Sequence, residues 1–222
     1  MPEYIRLSPG LRGRFPGLAA QIVRFTGVTV ARERQELENY KEEVAETVRE
    51  RWDVEELREH PTFRAYRDFF WKMDIDPTKI RPAAEALIRR VLRGNPIPRI
   101  NTWVDAYNLV SMESAIPVAS FDTDLLDGPL LMREAEEGEE FLGIGMKKPV
   151  VLGGGEAVIE DGRRLAAIYP YRDADHSKIT MKTSGVLMLM CGAPGITLGE
   201  LEESATLARR VLPRFCGGTL SQ

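Results

Sequence analysis

The stretch whose reading decides the fold is INTWVDAYNLVSMESAIPVASFD, residues 100–122. Thr102 followed three positions later by Asp105 fits a capping box, with Asp in place of the usual Glu or Gln. Trp103, Ala106, Tyr107 and Val110 recur at helical spacing and predict a stripe facing a core. Asp105 and Asn108, three apart, share a different face. Ile116 and Pro117 stop the helix, because a residue before proline avoids helical backbone angles. Residues 118–121 then read as a short apolar strand. Asp105, Asn108, Ser111 and Glu113 are more polar groups than a plain core helix needs. The stretch is expected to form one side of a pocket.

Downstream the pattern is strand and turn. Asp127 and Gly128 make a turn before a strand at 129–133. Apolar runs at 150–152, 157–159 and 165–169 are separated by Gly153, Gly154 and Gly155 and by Asp161 and Gly162. Residues 185–191 (GVLMLMC) form a bounded apolar strand. Thr197 or Gly199 opens a last amphipathic helix that Pro213 is expected to stop. Upstream, 18–30 reads as a strand with a break at Gly27, and 33–51 as an amphipathic helix with a narrow apolar stripe. Phe63, Tyr66, Phe70 and Trp71 are expected largely on one core-facing side. Residues 83–93 form a helix through Ala86, Leu87, Val91 and Leu92, stopped by Gly94, Asn95 and Pro96. The fold class is α+β, with a mixed or mostly antiparallel sheet packed with helices. Regular βαβ alternation is missing, which argues against a doubly wound sheet. Without a low-complexity linker or a repeat, 1–222 reads as a single domain. Residues 1–98 are its helix-rich part, and 99–222 its strand-rich, pocket-forming part.

Composition narrows the function classes. At 43% hydrophobic and 29% charged the chain is an ordinary globular sequence. No apolar run is long enough to cross a bilayer, and the first residues carry no export signal. Cys191 and Cys216 are too few for a disulfide framework and read as buried thiols in a reducing, cytoplasmic compartment. The formal net charge of -4 argues against broad nucleic-acid binding. It leaves room for a local basic face, since Arg64, Arg67, Arg81, Arg89, Arg90, Arg93 and Arg99 fall close together. A solvated helix surface is the commoner explanation of any one of them.

Several motifs fail. GIGMKK at Gly143 lacks the third glycine of a dinucleotide site, and the glycine triplet at 153–155 lacks the Lys-Ser or Lys-Thr of a phosphate loop. Asp122, Asp124 and Asp127 are out of step for a calcium loop. Two histidines, His60 and His176, without a cysteine cluster point to no metal site, and no cofactor is expected. What survives is YPYRDADHSKITMKTSG, residues 169–185. It sits between two apolar strands and holds carboxylates, a histidine, a guanidinium, an amine and hydroxyls. A polar surface loop would explain its composition. Both charge signs crowded beside strand ends also suit a small polar substrate.

The 100–122 stretch resembles the B3/B4 module of the bacterial phenylalanyl-tRNA synthetase beta subunit. The resemblance rests on Val104, Asp105, Asn108, Glu113, Pro117, Phe121 and Asp122. It continues through Leu130, Arg133, Ala135, Gly138 and Glu139, then Leu152, Gly153 and Gly154, and on to Thr183. The lead-in 98–101 is similar too, so roughly residues 78–189 are covered. No synthetase catalytic domain accompanies it. The resemblance implies a B3/B4-like fold and hydrolysis of mischarged aminoacyl-tRNA, with the aminoacylated 3' end of tRNA as partner. Asn108 corresponds to a substrate-pocket asparagine, and Asp175 to a Glu that helps read the amino acid. His176, Ser177 and Thr183 align as well. Ala119 stands where the family has a pocket histidine, and Tyr107 where it has a threonine.

An aminoacyl ester is activated, so its hydrolysis chiefly needs a positioned water and a stabilised oxyanion. Asp175, Thr183 and Thr180 are the expected catalytic set, the two hydroxyls orienting water. Asn108, Tyr107, Ala119, Gly154, Arg172, Asp173, His176 and Ser177 are expected to line the substrate, with backbone amides at 153–155 facing the oxyanion. The expected activity is a trans-acting editing hydrolase. The alternative is a non-catalytic tRNA- or RNA-binding module of the same family.

Overall fold

The computed structural model describes residues 2–221. Its central sheet is antiparallel throughout. Strand β3 (Ala20–Val28) and β11 (Gly185–Cys191) lie side by side, with β4 (Val118–Asp122) on the far side of β11. Two short strands share the other edge of β3: β1 (Glu3–Tyr4) near one end and β12 (Gly217–Leu220) near the other. A second sheet runs in the order β10 (Arg172–Asp173), β9 (Leu165–Ile168), β8 (Ala157–Glu160), β5 (Leu131–Glu134) and β2 (Arg6–Leu7). Only the β2–β5 pair in it is parallel. Strands β6 (Glu140–Phe141) and β7 (Val150–Val151) form a small ribbon beside it. The architecture is α+β, as the sequence implies.

The described residues hold six α-helices: α1 (Pro9–Arg14), α2 (Gln35–Arg51), α3 (Pro61–Lys72), α4 (Ala83–Leu92), α5 (Thr102–Ser114) and α6 (Leu198–Cys216). Helix α5 packs against α6, α2 and α4, and α6 also lies on β3 and β11. Strand β11 is buried at every residue, so the central sheet is covered on both faces there. Trp103 of α5 is fully buried, donates from Nε1 to Ser120 Oγ on β4 at 2.8 Å, and meets Phe25 of β3 edge-on at 5.2 Å. Tyr66 and Tyr169 tie the layers by donating to the Cys191 and Gly192 carbonyls.

Several sequence expectations shift by identifiable physics. The cap of α5 is Asn101, whose side chain accepts from the Val104 amide; Thr102 Oγ1 instead accepts from Ala31 N–H. Asn is the stronger cap of the two. Pro213 does not stop α6, which runs on to Cys216. Proline near the end of a helix forfeits a single bond there, and the buried Phe215 and Cys216 hold the last turn. Trp71 is exposed at 55%, while Phe69 takes its place in the core. Helix α4 buries Ala84, Glu85, Ile88 and Val91 rather than Ala86 and Leu87, because two arginines neutralise Glu85 within the core. Helix α1 was not anticipated, although Ser8 followed by proline is a legible helix start.

Candidate functional site

The two stretches singled out in the sequence meet at the free edge of β4. Among the described residues strand β4 pairs only with β11, so its outer amides need partners. The 172–183 segment supplies polar groups along that edge. Asp173 Oδ2 receives the Ser120 amide at 3.4 Å, and Thr183 Oγ1 donates to Asp122 Oδ2 at 2.6 Å. Asn101, the α5 cap, reaches over to the Ile179 carbonyl at 3.4 Å.

Asp173 is the focus of this contact. Burial pushes its carboxyl up to about 7, and the Ser120 amide and Arg172 guanidinium offset that only in part. The neighbouring groups respond in kind. Burial, then the Asp173 and Asp105 charges, push the Tyr107 phenol up. Burial and then Asp173 push the Cys191 thiol up as well. Asp173 thus acts electrostatically on both Tyr107 of α5 and Cys191 of β11. Neither phenol nor thiol donates a hydrogen bond to the carboxylate, which is why the carboxyl remains high.

The other expected site residues are placed unevenly. Tyr107 and Asn108 are half-buried neighbours on α5, and among the described residues none hydrogen-bonds to the Asn108 amide. Asp105 is not at the site: it is buried and paired with Lys41 Nζ at 2.7 Å, while its other oxygen accepts the Ile100 amide. Ala119 is buried in β4 beside Ser120. Thr183 is buried and accepts the Thr180 amide at 2.9 Å; Thr180 Oγ1 accepts the Lys182 amide at 3.2 Å. Both hydroxyls therefore shape the turn at residues 180–183. Asp175 is half-exposed and ion-paired with Lys178 at 2.7 Å. His176 Nε2 and Ser177 Oγ are buried without a hydrogen bond in the protein, although Asp161 Oδ2 lies 3.5 Å from His176. Desolvation and then Arg164 hold the His176 imidazole below its ordinary value, so it is neutral at pH 7. Arg172 is exposed, donates to the Ile144 carbonyl at 3.2 Å, and covers Gly143, where any Cβ would strike its stem.

Gly154 lies apart from this cluster. Its φ is +89°, and a Cβ would meet the Glu137 amide at 3.1 Å. The flanking amides are occupied, Gly153 by Glu156 and Gly155 by the Ala135 carbonyl. The glycine run thus shapes a turn, and the amides of Gly153 and Gly155 are not free for an oxyanion. Sequence reading also passed over Ser120 and Cys191. An edge-strand amide has no local signature, and a lone thiol in an apolar strand reads as core.

Comparison with known proteins places this geometry. The sequence profile described as the B3/4 domain matches residues 65–215. The chain belongs to the B3/4 domain family. Curated relatives include the phenylalanine-tRNA ligase beta subunits of Geobacter metallireducens, 34% identical over 110 residues, and Geobacter sulfurreducens, 32% identical over 115. These matches cover 49% and 51% of this B3/4 chain but 14% of each relative. The same fold occurs in an N-terminal fragment of the phenylalanyl-tRNA synthetase beta subunit from Pyrococcus horikoshii. The TM-score there is 0.51 at 11% identity, covering 97% of this chain and 49% of that one. The B3/4 match takes in α5, β4, β10 and the 172–183 loop, so the whole Asp173 cluster lies inside it. Strand β3, which runs beside β11 in the central sheet, lies outside it.

Proposed function

We propose that this B3/4 domain hydrolyses the aminoacyl ester of mischarged tRNA, in trans and in the cytoplasm where charged tRNA is found. The observation that carries the reading is Asp173, a half-buried carboxylate whose Oδ2 receives the Ser120 amide at the β4 edge and which desolvation raises to about 7. A base of that strength suits general catalysis at pH 7. Its carboxylate takes a proton from water while the water oxygen bonds the ester carbonyl carbon. The ester carbon–oxygen bond then breaks, and the proton passes to the departing ribose hydroxyl. Asn108, with its amide free of protein partners, is suited to hold the amino acid. Ser177 offers a further unpartnered polar atom on the same loop. Ala119 offers no ionisable group where the family has histidine, and Asp173 takes the basic role in this reading. Asp175 contributes the charge that orients Lys178, and Thr180 and Thr183 hold the loop.

The names of the relatives support tRNA as the partner. The test is release of free amino acid from a panel of mischarged tRNAs. Asp173→Asn is expected to lower release by about 100-fold or more. If no aminoacyl-tRNA is cleared faster than in buffer, the hydrolase reading falls and the non-catalytic binding module takes its place.

A further inference from the structure

Away from the Asp173 cluster, α3, α4 and the turns at 53–59 and 76–81 border two adjoining open cavities of about 500 and 310 Å³. Both are lined by Arg81, Arg89 and Arg93; Arg67 lines the first, and Lys79 and Arg90 the second. The floor is built rather than incidental. Glu85, wholly buried, receives Arg67 Nε and Nη2 at 2.9 and 2.6 Å and Arg89 Nε at 2.6 Å. Arg89 Nη1 is fixed further by the Val54 carbonyl at 3.1 Å. One carboxylate thus orients two guanidiniums while leaving Nη1 of Arg67 and Nη2 of Arg89 uncommitted. Arg81 and Arg93 are exposed above them and form no ion pair among the described residues.

So many like charges in one groove repel one another unless an anion joins them. Glu85 answers Arg67 and Arg89, and Asp76 lies 3.8 Å from Lys79, which leaves Arg81, Arg90 and Arg93 without an ion pair among the described residues. Glu55 lines the first cavity, and no carboxylate lines the second. The chain as a whole carries a net charge of -4, so this basic groove is a local exception. Planar guanidinium forks match phosphate oxygens. The linings hold no aromatic ring on which a base could stack. Such a surface meets a sugar–phosphate backbone without reading sequence.

We propose that this groove is an RNA-backbone site that anchors the tRNA body while the charged end reaches the Asp173 cluster. The choice of tRNA as the RNA rests on the functional reading above; the phosphate chemistry stands on the arginines. Helix α4 packs directly on α5, which carries Tyr107 and Asn108, so the groove and the cluster are built on adjoining helices.

The experiment is titration of labelled, uncharged tRNA with the full chain across a salt series. The double variant Arg81→Gln/Arg93→Gln removes two exposed guanidiniums that make no ion pair, leaving the Glu85 floor intact. Binding at low salt is expected to weaken about tenfold or more, and the log–log salt slope to flatten by about two. Unchanged affinity and slope overturn the site. So does binding of tripolyphosphate, read by calorimetry, with no measurable tRNA binding, which would make the groove a small-anion site. Arginine modification by phenylglyoxal, read by mass spectrometry on the wild-type chain, gives an independent measurement. Protection of Arg81 and Arg93 by tRNA is expected, and equal labelling with and without tRNA contradicts the proposal. Failure of the hydrolase reading shows differently, as intact tRNA binding with no release of amino acid.

Discussion

Asp173 is the residue on which the chemistry turns, and its environment makes a signed prediction. Its carboxyl is raised from the ordinary 3.8 to about 7 by burial. The folded chain therefore holds a proton there that the unfolded chain has lost, over roughly that window. The native state pays for the charge as pH climbs from about 4 to 7. Asp173→Asn removes that cost. The variant should melt at or above the wild-type temperature at pH 8, by about 2–4 °C, and lose that advantage near pH 4. Deacylation by the wild type should rise with pH and level off above about 7, since the base acts unprotonated. A flat profile from pH 5 to 8 would remove Asp173 from the basic role. Thr183→Val breaks the bond to Asp122, a carboxylate only 5% exposed. Leaving that acceptor short of a partner should cost about 1–3 kcal/mol in urea unfolding; no loss would mean that water replaces the hydroxyl. Asp173 was visible in the sequence only as one of two neighbouring carboxylates. Nothing local distinguishes it from Asp175: both are half-buried, and the difference is that Asp173 receives the amide of Ser120 on β4, 53 residues away in the chain.

Among the elements, α5 is the one that organises the site, and a buried ion pair holds it to α2. Lys41 Nζ meets Asp105 Oδ2 at 2.7 Å and Glu38 Oε1 at 2.6 Å, with the Lys41 and Asp105 side chains 6% and 3% exposed. Lys41→Met strands the Asp105 charge and should destabilise by about 3–5 kcal/mol. Lys41→Met/Asp105→Leu should recover part of that loss, because no lone charge remains. Equal destabilisation of single and double variants would show that packing, not charge, is at stake. The helix itself, its proline stop and the strand after it were readable from periodicity and punctuation. The role of Asp105 was not. Its spacing from Asn108 suggested a shared polar face, but Lys41 is 64 residues distant and turns Asp105 inward. The same holds for α4, where a sequence stripe of apolar residues omitted Glu85. Periodicity marks apolar faces and cannot anticipate a carboxylate that two arginines bring into the core.

At the scale of the molecule, the B3/4 match begins at residue 65, yet β3 lies between β1 and β11 in the central sheet. We propose that the described residues form one cooperative unit. Thermal unfolding followed by far-ultraviolet dichroism and by tryptophan fluorescence should give coincident single transitions; two separated transitions would divide the chain into independent parts. The α+β class and the meeting of residues 100–122 with 172–183 were legible because apolar strands and polar loops alternate in the sequence. The short strands β1, β2, β10 and β12 were not, since two to four residues carry no period and gain their form only from a neighbouring edge. The central claim is that the cluster at the β4 edge is a hydrolytic site for aminoacyl esters. It is tested most directly by timed release of amino acid from mischarged tRNAs, with wild type and Asp173→Asn side by side. Faster release than in buffer by the wild type, lowered about 100-fold or more in the variant, is the predicted result. Equal rates for wild type, variant and buffer across the whole panel would contradict it.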